Sequence, residues 1–484
     1  MTTSDATTNR PKLRDLQREF ARVQRRMLDT NVSLLILIDG WESSGKGRLM
    51  RDIVRELDPR YYEVRLIEPP NLEEAQNVLL WRFWKQIPRY GRITVLNRSW
   101  YSELLNNPKH SAKEIKRQME AFEDLEQTLI NDDMVVIKFF LHQSKEDMRK
   151  NIKLLEADQN TRFFITERDK NQLKKFETFE KHFRNIIDLN ESHGYPWDEL
   201  TSVKKRPDAH LALTTILQKL EAKLASPERD SVNSKRPRHT EKQKQSHPVT
   251  ELSLDKHLSQ EAYDADIDPL QEEAGALLYE MYTKQKAAVL VFEGTDAAGK
   301  GGSIRRLVRD MDPRGYDIAT TAAPDATERQ YHYLWRFMRD MPQDGMLTIF
   351  DRSWYGRVLV ERIEQFTPTH RWQEAFEEIN AFEHHLVDQG RLVLKFLLII
   401  DKDEQKKRFD AREADPDKEH KLTDEDWRNR EKFDLYEEAM DEMVTCTSTK
   451  EAPWIVIPAT DKRYARIEVL KQFIEHANQW LRGN

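Results

Sequence analysis

The sequence predicts an α/β fold class: two tandem copies of one domain, each a parallel β-sheet flanked by helices. Three observations predict it. The chain has 484 residues, and single cores usually stop growing before about 300 residues. Several motifs occur twice in the same order. Within each copy, short apolar runs alternate with amphipathic helical stretches, which favours parallel strands covered by helices.

The repeats are specific enough to indicate duplication and fusion. G-W-E-S-S-G-K-G at 40–47 returns as G-T-D-A-A-G-K-G at 294–301, N-R-S-W-Y at 97–101 as D-R-S-W-Y at 351–355, and I-K-F-F-L at 137–141 as L-K-F-L-L at 394–398. We therefore predict domains at 1–224 and 251–484. The segment 225–250 is rich in Ser, Pro, Lys, Arg and Gln, which is typical of a flexible linker.

Composition narrows the class of protein. Hydrophobic residues make up 38% and charged residues 34% of the chain, and the net charge is −7. This balance excludes a wholly disordered or membrane-embedded chain, and nothing global draws it to nucleic acid. The N-terminal residues have no signal-peptide pattern, and the one cysteine, Cys446, has no internal partner. We expect a cytoplasmic protein that binds neither membrane nor nucleic acid.

The predicted strands place the functional motifs. In the first copy they are 34–38, 93–96 and 135–141, and in the second 288–292, 347–350 and 392–400. The first strand of each copy runs into a glycine-rich turn and then a helix. Ligands of such sheets bind beyond the carboxyl ends of the strands.

Each glycine-rich turn has the G-x-x-x-x-G-K pattern of a phosphate-binding loop. The chain has 15 glycines, and seven lie in these turns: Gly40, Gly45, Gly47, Gly294, Gly299, Gly301 and Gly302. Backbone N–H groups converge on phosphate there, and Lys46 or Lys300 would reach the terminal phosphates. An ordinary strand-to-helix turn is the alternative, weakened because two such loops occur in the same context. Gly47 and Gly301 stand where triphosphatases place a magnesium-binding Ser or Thr.

Three acidic or basic residues of the second copy are catalytic candidates. Asp296, within the loop, would repel a phosphate unless a cation lies between them or unless it acts on an attacking oxygen; the alternative is a helix N-cap. Asp351 ends a strand as a magnesium-binding carboxylate would, and Arg352 could neutralise a transferred phosphoryl group. A structural ion pair is the alternative for Asp351 and Arg352. Trp354 and Tyr355 are expected to pack rather than react.

A charged stretch at 406–432 follows the last central strand. It contains the basic residues Arg408, Arg412, Lys418, Lys421, Arg428 and Arg430. A solvated helix face would explain such a stretch by itself. After a phosphate-loop core, however, it has the position of a lid that closes over phosphates and excludes water.

Together these motifs resemble the polyphosphate kinase 2 family. The resemblance rests on G-T-D-A-A-G-K-G-G, D-R-S-W-Y-G-R, K-L-T-D-E-D-W and A-P-W-I-V-I-P-A-T-D-K-R-Y-A-R (452–466), and covers nearly the whole chain. It implies a P-loop kinase fold akin to thymidylate kinase, with a helical lid. It also implies phosphoryl transfer between inorganic polyphosphate and a nucleotide, with Mg²⁺ or a substituting Mn²⁺, by a homo-oligomer.

The tandem arrangement resembles the two-domain branch, which implies AMP as the acceptor and ADP as the product. The resemblance implies a catalytic set of Asp296, Lys300, Asp351 and Arg352, with the metal on Asp296 and Asp351. It also implies that Gly294, Gly299 and Gly301 shape the phosphate cradle. We add as phosphate-binding candidates Ala298, Gly302, Arg357, Lys418, Lys421 and Arg428. In-line transfer needs no covalent intermediate.

The two copies differ at the residues that matter for this chemistry. Where the second copy has Asp296, Asp351, Gly302 and Arg357, the first has Glu42, Asn97, Arg48 and Glu103. An asparagine lacks the negative charge that attracts magnesium. We expect the second copy to be the working kinase, and the first to be weakened or inactive and retained for packing or polyphosphate binding.

Three other functions remain open from the sequence. One is a polyphosphate-dependent kinase of ADP or GDP, and another is a nucleoside monophosphate kinase that uses ATP. The third is a non-enzymatic phosphate-binding scaffold, which any turnover would exclude.

Overall fold

The computed structural model describes residues 11–201, 207–225, 247–415 and 424–483. These form two compact units. One comprises Met1–Pro69, Phe83–Arg236 and Gln330–His332, and the other Pro70–Arg82, Pro237–Arg329 and Tyr333–Asn484. The domain boundaries given above stay a prediction.

The first half of the chain alternates strands and helices. Its elements are α1 Leu13–Met27, β1 Ser33–Gly40, α2 Lys46–Val54, β2 Tyr62–Leu66, α3 Leu72–Ala75, α4 Trp81–Trp84, β3 Ile93–Asn97, α5 Tyr101–Leu105, α6 Ala112–Asn131, β4 Met134–His142, α7 Lys145–Ala157, α8 Glu167–Lys174, α9 Phe176–His193, β5 Asp198–Thr201 and α10 Pro207–Ala225.

The second half repeats the pattern. Its elements are α11 Gln260–Thr283, β6 Ala288–Gly294, α12 Lys300–Leu307, β7 Tyr316–Thr320, α13 Leu334–Arg339, β8 Leu347–Asp351, α14 Val360–Ile363, α15 Thr369–Asp388, β9 Leu392–Ile399, α16 Lys402–Glu413, α17 Asp424–Glu431, α18 Phe433–Thr447, β10 Trp454–Pro458 and α19 Lys462–Arg482. Short 3-10 turns cover Arg162–Phe164, Glu328–Gln330 and Trp354–Arg357.

Each unit contains one five-stranded sheet, and the two sheets have the same topology. The order is β2-β3-β1-β4-β5 in one and β7-β8-β6-β9-β10 in the other, and every pair is parallel. The predicted fold class is therefore confirmed. In both sheets the strand before the glycine loop lies centrally, between neighbours reached by crossovers in opposite directions, which is where such sheets bind ligands.

The central strands form because they are apolar along their whole length. Every residue of β9, and every residue of β6 except Gly294, is buried, as expected of strands covered on both faces. The six predicted strands agree with β1, β3, β4, β6, β8 and β9 within a few residues. Four outer strands were not predicted: β2, β5, β7 and β10. Strand β2 shows why such a strand escapes prediction: most of its residues are exposed, and polar residues interrupt its apolar ones.

Among the described residues, no helix is both long enough and apolar enough to cross a membrane.

Candidate active site

The glycine loop of the second unit is shaped by backbone constraints. Gly294 has φ +141°, and a Cβ there would lie 2.1 Å from the carbonyl oxygen of Leu398 on the neighbouring strand β9. Ala297 has φ +63° and Gly299 φ +108°, left-handed values that cost energy for Ala297. The loop then enters α12 at Lys300. A strained loop at a helix N-terminus suits a phosphate site.

Lys300 lies at the mouth of this loop. Its Nζ donates to the carbonyl oxygens of Gly294 at 2.8 Å and Thr295 at 3.4 Å. No carboxylate of the described residues forms an ion pair with it. The ammonium group is therefore held by neutral acceptors, and its positive charge remains for an anionic ligand.

Asp296 is held by two side chains from other elements. Arg352 Nη2 donates to its Oδ1 at 3.1 Å, and Asn429 Nδ2, from α17, donates to its Oδ2 at 2.8 Å. The N-cap of α12 is Gly299, without a side-chain hydrogen bond, so the N-cap alternative for Asp296 is wrong. The structure thus brings Asp296 and Arg352 together as predicted and adds Asn429, which the sequence reasoning missed.

Asp351 ends β8 opposite the loop strand, in register with Phe292. Its carboxylate makes no hydrogen bond or ion pair with any described residue, and its Oδ2 lies 3.9 Å from the Cβ position of Gly301 in α12. Arg352, which follows, has φ +61°, a strained value for a long side chain. That conformation accompanies the turn of Arg352 toward Asp296. The pairing of Asp351 with Arg352, the structural alternative from the sequence, is not what the described contacts show.

A buried ionic cluster supports the segment that follows Asp351. Glu383 accepts hydrogen bonds from Trp354 Nε1 at 3.0 Å, Tyr355 OH at 2.8 Å and Lys395 Nζ at 2.6 Å. Lys395 and Glu383 are 0% and 1% exposed, and burial lowers the pKa of Lys395 while Glu383 opposes that shift. Trp354 and Tyr355 are fully buried, which confirms that they pack.

A second buried carboxylate connects the two strand ends. Glu293 precedes Gly294, and its Oε1 accepts from the backbone N–H and the hydroxyl of Ser353, both at 2.8 Å. Burial raises the pKa of Glu293, while Lys300 opposes that shift. The contact fixes the loop strand to the segment that carries Arg352.

Arg408 of α16 braces the loop from the lid side. Its guanidinium donates to the carbonyl oxygens of Ala297 at 2.9 Å, Ala298 at 3.0 Å, and Ala459 and Thr460 at 2.8 Å each. It also donates to Glu404 on the same helix. Arg408 is 5% exposed. Arg408 was predicted as a cation of the basic lid, but its role is structural because its N–H groups donate to backbone carbonyl oxygens.

A cation-rich cavity of about 560 Å³ opens beside the loop. It is bounded by the loop, by α16 and by the start of α19. Six basic residues line it: Lys407, Arg408, Arg412, Lys462, Arg463 and Arg466, against two acidic ones, Glu404 and Asp461. Burial and then the neighbouring guanidinium groups lower the pKa of Lys462. A polyanion would relieve this repulsion.

The remaining predicted residues have four different placements. Gly302 lines the cavity with Ala298 and Gly299, and the Nη2 of Arg466 lies 3.8 Å from its Cβ position. Arg357 donates to Thr367 at 2.6 Å and pairs with Glu361 at 2.9 Å. Arg428 is exposed on α17. Lys418 and Lys421 lie outside the described residues.

Lys462 and Arg466 were not predicted as site residues, although the sequence carried a signal for them. They belong to T-D-K-R-Y-A-R, which follows an apolar run and opens a helix. The signal was missed because strand β10 is short and was not predicted, so the carboxyl end of that strand was not placed beside the loop.

The equivalent loop of the first unit is closed by its own side chains. Lys46 Nζ donates to Glu42 Oε2 at 3.3 Å, and Arg98 donates to both Glu42 oxygens at 3.1 Å. Although burial alone would raise it, the pKa of Glu42 is held at about 2 by these two cations. Trp41 stacks on Phe176 of α9 at 4.1 Å between ring centroids. One carboxylate is thus shared by the loop lysine and the strand-end arginine.

Fold and site together define a class: a parallel α/β protein whose strand-end loop, lysine and strand-end acid serve phosphoryl transfer. Residues 3–228 and 257–482 each match the family described as polyphosphate kinase 2. The chain belongs to the polyphosphate kinase 2 family. The resemblance noted in the sequence is thereby confirmed.

Individual relatives extend over nearly the full chain. A polyphosphate:AMP phosphotransferase of Pseudomonas aeruginosa is 38% identical over 445 residues, which is 90% of this chain and 89% of that protein. One from Acinetobacter johnsonii is 34% identical over 487 residues, 95% and 94% of the two chains. A crystal structure of a polyphosphate kinase 2 from Pseudomonas aeruginosa superposes with a TM-score of 0.84 at 33% identity, covering 97% of this chain and 95% of that one.

Proposed function

We propose that this protein transfers the terminal phosphoryl group of inorganic polyphosphate to AMP and produces ADP. The single observation that carries the choice of donor is the cavity beside the loop, whose wall has six cations against two acids. Such a lining suits a chain of phosphates better than the base of a nucleoside triphosphate. The near-full-length relatives named polyphosphate:AMP phosphotransferases support AMP as the acceptor.

The residues of the second unit have distinct roles in this proposal. Lys300 and Arg352 stabilise negative charge on the phosphoryl group during in-line transfer. The backbone N–H groups from Gly299 into α12 bind phosphate oxygens, and Lys462 and Arg466 hold the donor chain. Arg357, Lys418, Lys421 and Arg428 are proposed as further phosphate contacts. Asp296 orients Arg352 through their ion pair.

The acidic residues fit a divalent cation, which we propose is Mg²⁺ or a substituting Mn²⁺. Among the described residues no group of three His, Cys, Asp or Glu side chains could hold a metal. A site of one or two carboxylates completed by phosphate oxygens and water is the usual arrangement for Mg²⁺. Asp351, with no partner in the described part of the chain, would be the principal ligand, and Asp296 the second. When bound, the cation would neutralise phosphate charge.

We assign the activity to the second unit and propose that the loop of the first is inactive. Among the described residues Lys300 forms no ion pair, whereas Lys46 pairs with Glu42. Asn97 replaces Asp351 at the equivalent register position. We also propose a homo-oligomer in the cytoplasm; the single cysteine and the polar composition support that compartment.

The test incubates purified protein with Mg²⁺ and long-chain polyphosphate, and supplies AMP, ADP or GDP separately. ATP replaces polyphosphate as donor in a control, and products are separated by chromatography. ADP formed from AMP and polyphosphate, lost in Asp351→Asn and retained in the matched variant Asn97→Ala, supports the proposal. Product from diphosphates only would change the acceptor, and product with ATP only would refute polyphosphate as donor. Loss in Asn97→Ala alone would refute the assignment to the second unit.

A further inference from the structure

The first unit carries an arginine-rich surface outside the loop. We call it the α1–α2 arginine face, and define it by five exposed residues: Arg14, Arg18 and Arg25 on α1, Arg51 on α2, and Arg55 directly after α2. Within the described part of the chain, none of the five forms an ion pair. Their positive charges are therefore available to an anionic ligand, although Asp15 and Glu56 are also exposed nearby in the sequence.

The two helices are fixed side by side by buried glutamines. Gln17 Nε2 donates to the carbonyl oxygen of Asp52 at 2.8 Å. Gln24 Nε2 donates to the carbonyl oxygen of Asp58 at 3.1 Å and accepts from its N–H at 2.9 Å. Both glutamines are nearly inaccessible. Because these bonds join α1 to α2 and the segment after it, the arginines next to them belong to one continuous surface.

The second unit provides an internal comparison. Helix α11 occupies the position of α1, and Gln271 donates to the carbonyl oxygen of Arg306 on α12 at 2.7 Å, the equivalent of the bond from Gln17. Arg305 and Arg309 stand where the first unit has Arg51 and Arg55, but the charge on the first helix is opposite. Asp268 and Glu272, both exposed, stand where α1 has Arg14 and Arg18. The scaffold therefore does not require arginine at these positions, and folding does not explain them.

We propose that the α1–α2 arginine face is a second docking site for inorganic polyphosphate. The proposal rests on the proposed function, which makes this polyanion the substrate. Guanidinium groups bind phosphate oxygens in bidentate geometry. Arg14 and Arg18 are about 6 Å apart along the helix, and Arg18 and Arg25 about 10 Å, so an extended chain of phosphates can contact them in succession.

A long chain has many phosphates beyond those bound at the catalytic loop, whereas a short chain has few to offer this face. Binding at two places raises the apparent affinity without any new contact at the reacting phosphate. Long polyphosphate should then have a lower KM than short polyphosphate, with the same kcat. This difference should depend on the arginines.

The experiment uses the full chain with Arg14→Asp and Arg18→Glu, which introduces the residues of α11. The matched control is Lys113→Glu with Lys181→Glu, an equal charge change on exposed positions of α6 and α9. Affinity for labelled long-chain polyphosphate is measured over a range of salt concentrations. KM and kcat are measured with long and short chains. Circular dichroism confirms that both variants fold.

We expect the arginine variant to bind long chains about tenfold more weakly, with a shallower salt dependence, because phosphate contacts are lost. Its KM should rise for long chains only, and its kcat should not change. An unchanged affinity of the arginine variant for long chains would overturn the proposal, and so would an equal loss of affinity in the control variant. The proposal would also be overturned if the wild type bound single-stranded nucleic acid more tightly than polyphosphate. If the wild type neither bound nor used polyphosphate, the proposed function itself would fail. If the wild type used polyphosphate and the arginine variant behaved like it, only the role of this face would be refuted.

Discussion

Replacing Arg408 with methionine tests whether the phosphate loop depends on its brace. Methionine keeps most of the buried stem and removes the guanidinium group. Four carbonyl oxygens, two in the loop and two beyond β10, then lose a charged donor. Each such loss costs on the order of 1 kcal/mol.

The cavity beside Arg408 allows water to reach some of these oxygens. We therefore expect the free energy of unfolding of the second unit to fall by about 2–3 kcal/mol, less than the full sum of about 4 kcal/mol. Activity should also fall, because Ala297, at φ +63°, loses the contact that holds it. Arg428→Met is the matched control. It removes an exposed guanidinium from the same lid region and should change stability by less than about 0.5 kcal/mol.

Urea unfolding followed by near-ultraviolet circular dichroism measures this effect. Two units are expected to give separable transitions, which must be fitted individually. A loss below about 0.5 kcal/mol in Arg408→Met, within the range of ordinary surface substitutions, would refute the bracing role. An equal loss in Arg428→Met would show that the lid charge, and not the backbone contacts, stabilises the unit.

Three further predictions concern buried charges. The pKa of Glu42 falls from 4.5 to about 2 on folding, so the stabilisation that this carboxylate provides is complete above pH 4.5 and is lost as the pH falls toward 2. Glu42→Gln should therefore remove about 3 kcal/mol of the pH dependence of the unfolding free energy in acid. If the variant retained that dependence, its assignment to Glu42 would be contradicted. Lys395→Met should cost about 3–5 kcal/mol in urea unfolding because Glu383 stays buried and charged, and the double variant with Glu383→Leu should recover much of it; no recovery would mean that packing, and not charge, is the cause. Asn429→Asp should reduce kcat more than Asn429→Ala, because a carboxylate there repels Asp296 at hydrogen-bond distance; equal kinetic parameters in the two variants would refute the contact.

The sequence predicted the central strands and the loops because their signals are local. A fully buried parallel strand is a continuous apolar run, and a phosphate loop needs glycines where φ is positive, as at Gly299. The edge strand β2 has neither signal: its apolar residues alternate with charged ones, and four of its five residues are exposed. Its pairing with β3 depends on a neighbour distant in sequence, which local pattern does not reveal.

The site was predicted where residues are adjacent in sequence and missed where the fold assembles them. Asp351 and Arg352 were assigned together from one motif, but Arg352 bonds to Asp296 instead. Asn429 joins Asp296 from a lid helix far along the chain. Arg408 was grouped with the lid cations because composition cannot tell a buried guanidinium from an exposed one.

The two units show which parts of the ancestral domain are constrained by packing and which by chemistry. The buried ionic cluster is present in both: Lys138 Nζ donates to Glu126 at 2.9 Å in the first unit, as Lys395 does to Glu383 in the second. Loss of either partner would leave a buried charge unpaired, so stability alone maintains the pair. Asn97 in place of the strand-end carboxylate breaks no packing contact, because that position faces the site.

The loop of the first unit is occupied by its own side chains, which supports the proposal that it is inactive. Glu42 accepts hydrogen bonds from both Lys46 and Arg98, whereas the carboxylate of Asp296 bonds, among the described residues, to Arg352 and Asn429. Both loop lysines donate to the equivalent two carbonyl oxygens, so the longer side chain of glutamate distinguishes the two loops. The same scaffold can then acquire a different use for its outer surface, as the reversal of charge between α1 and α11 indicates.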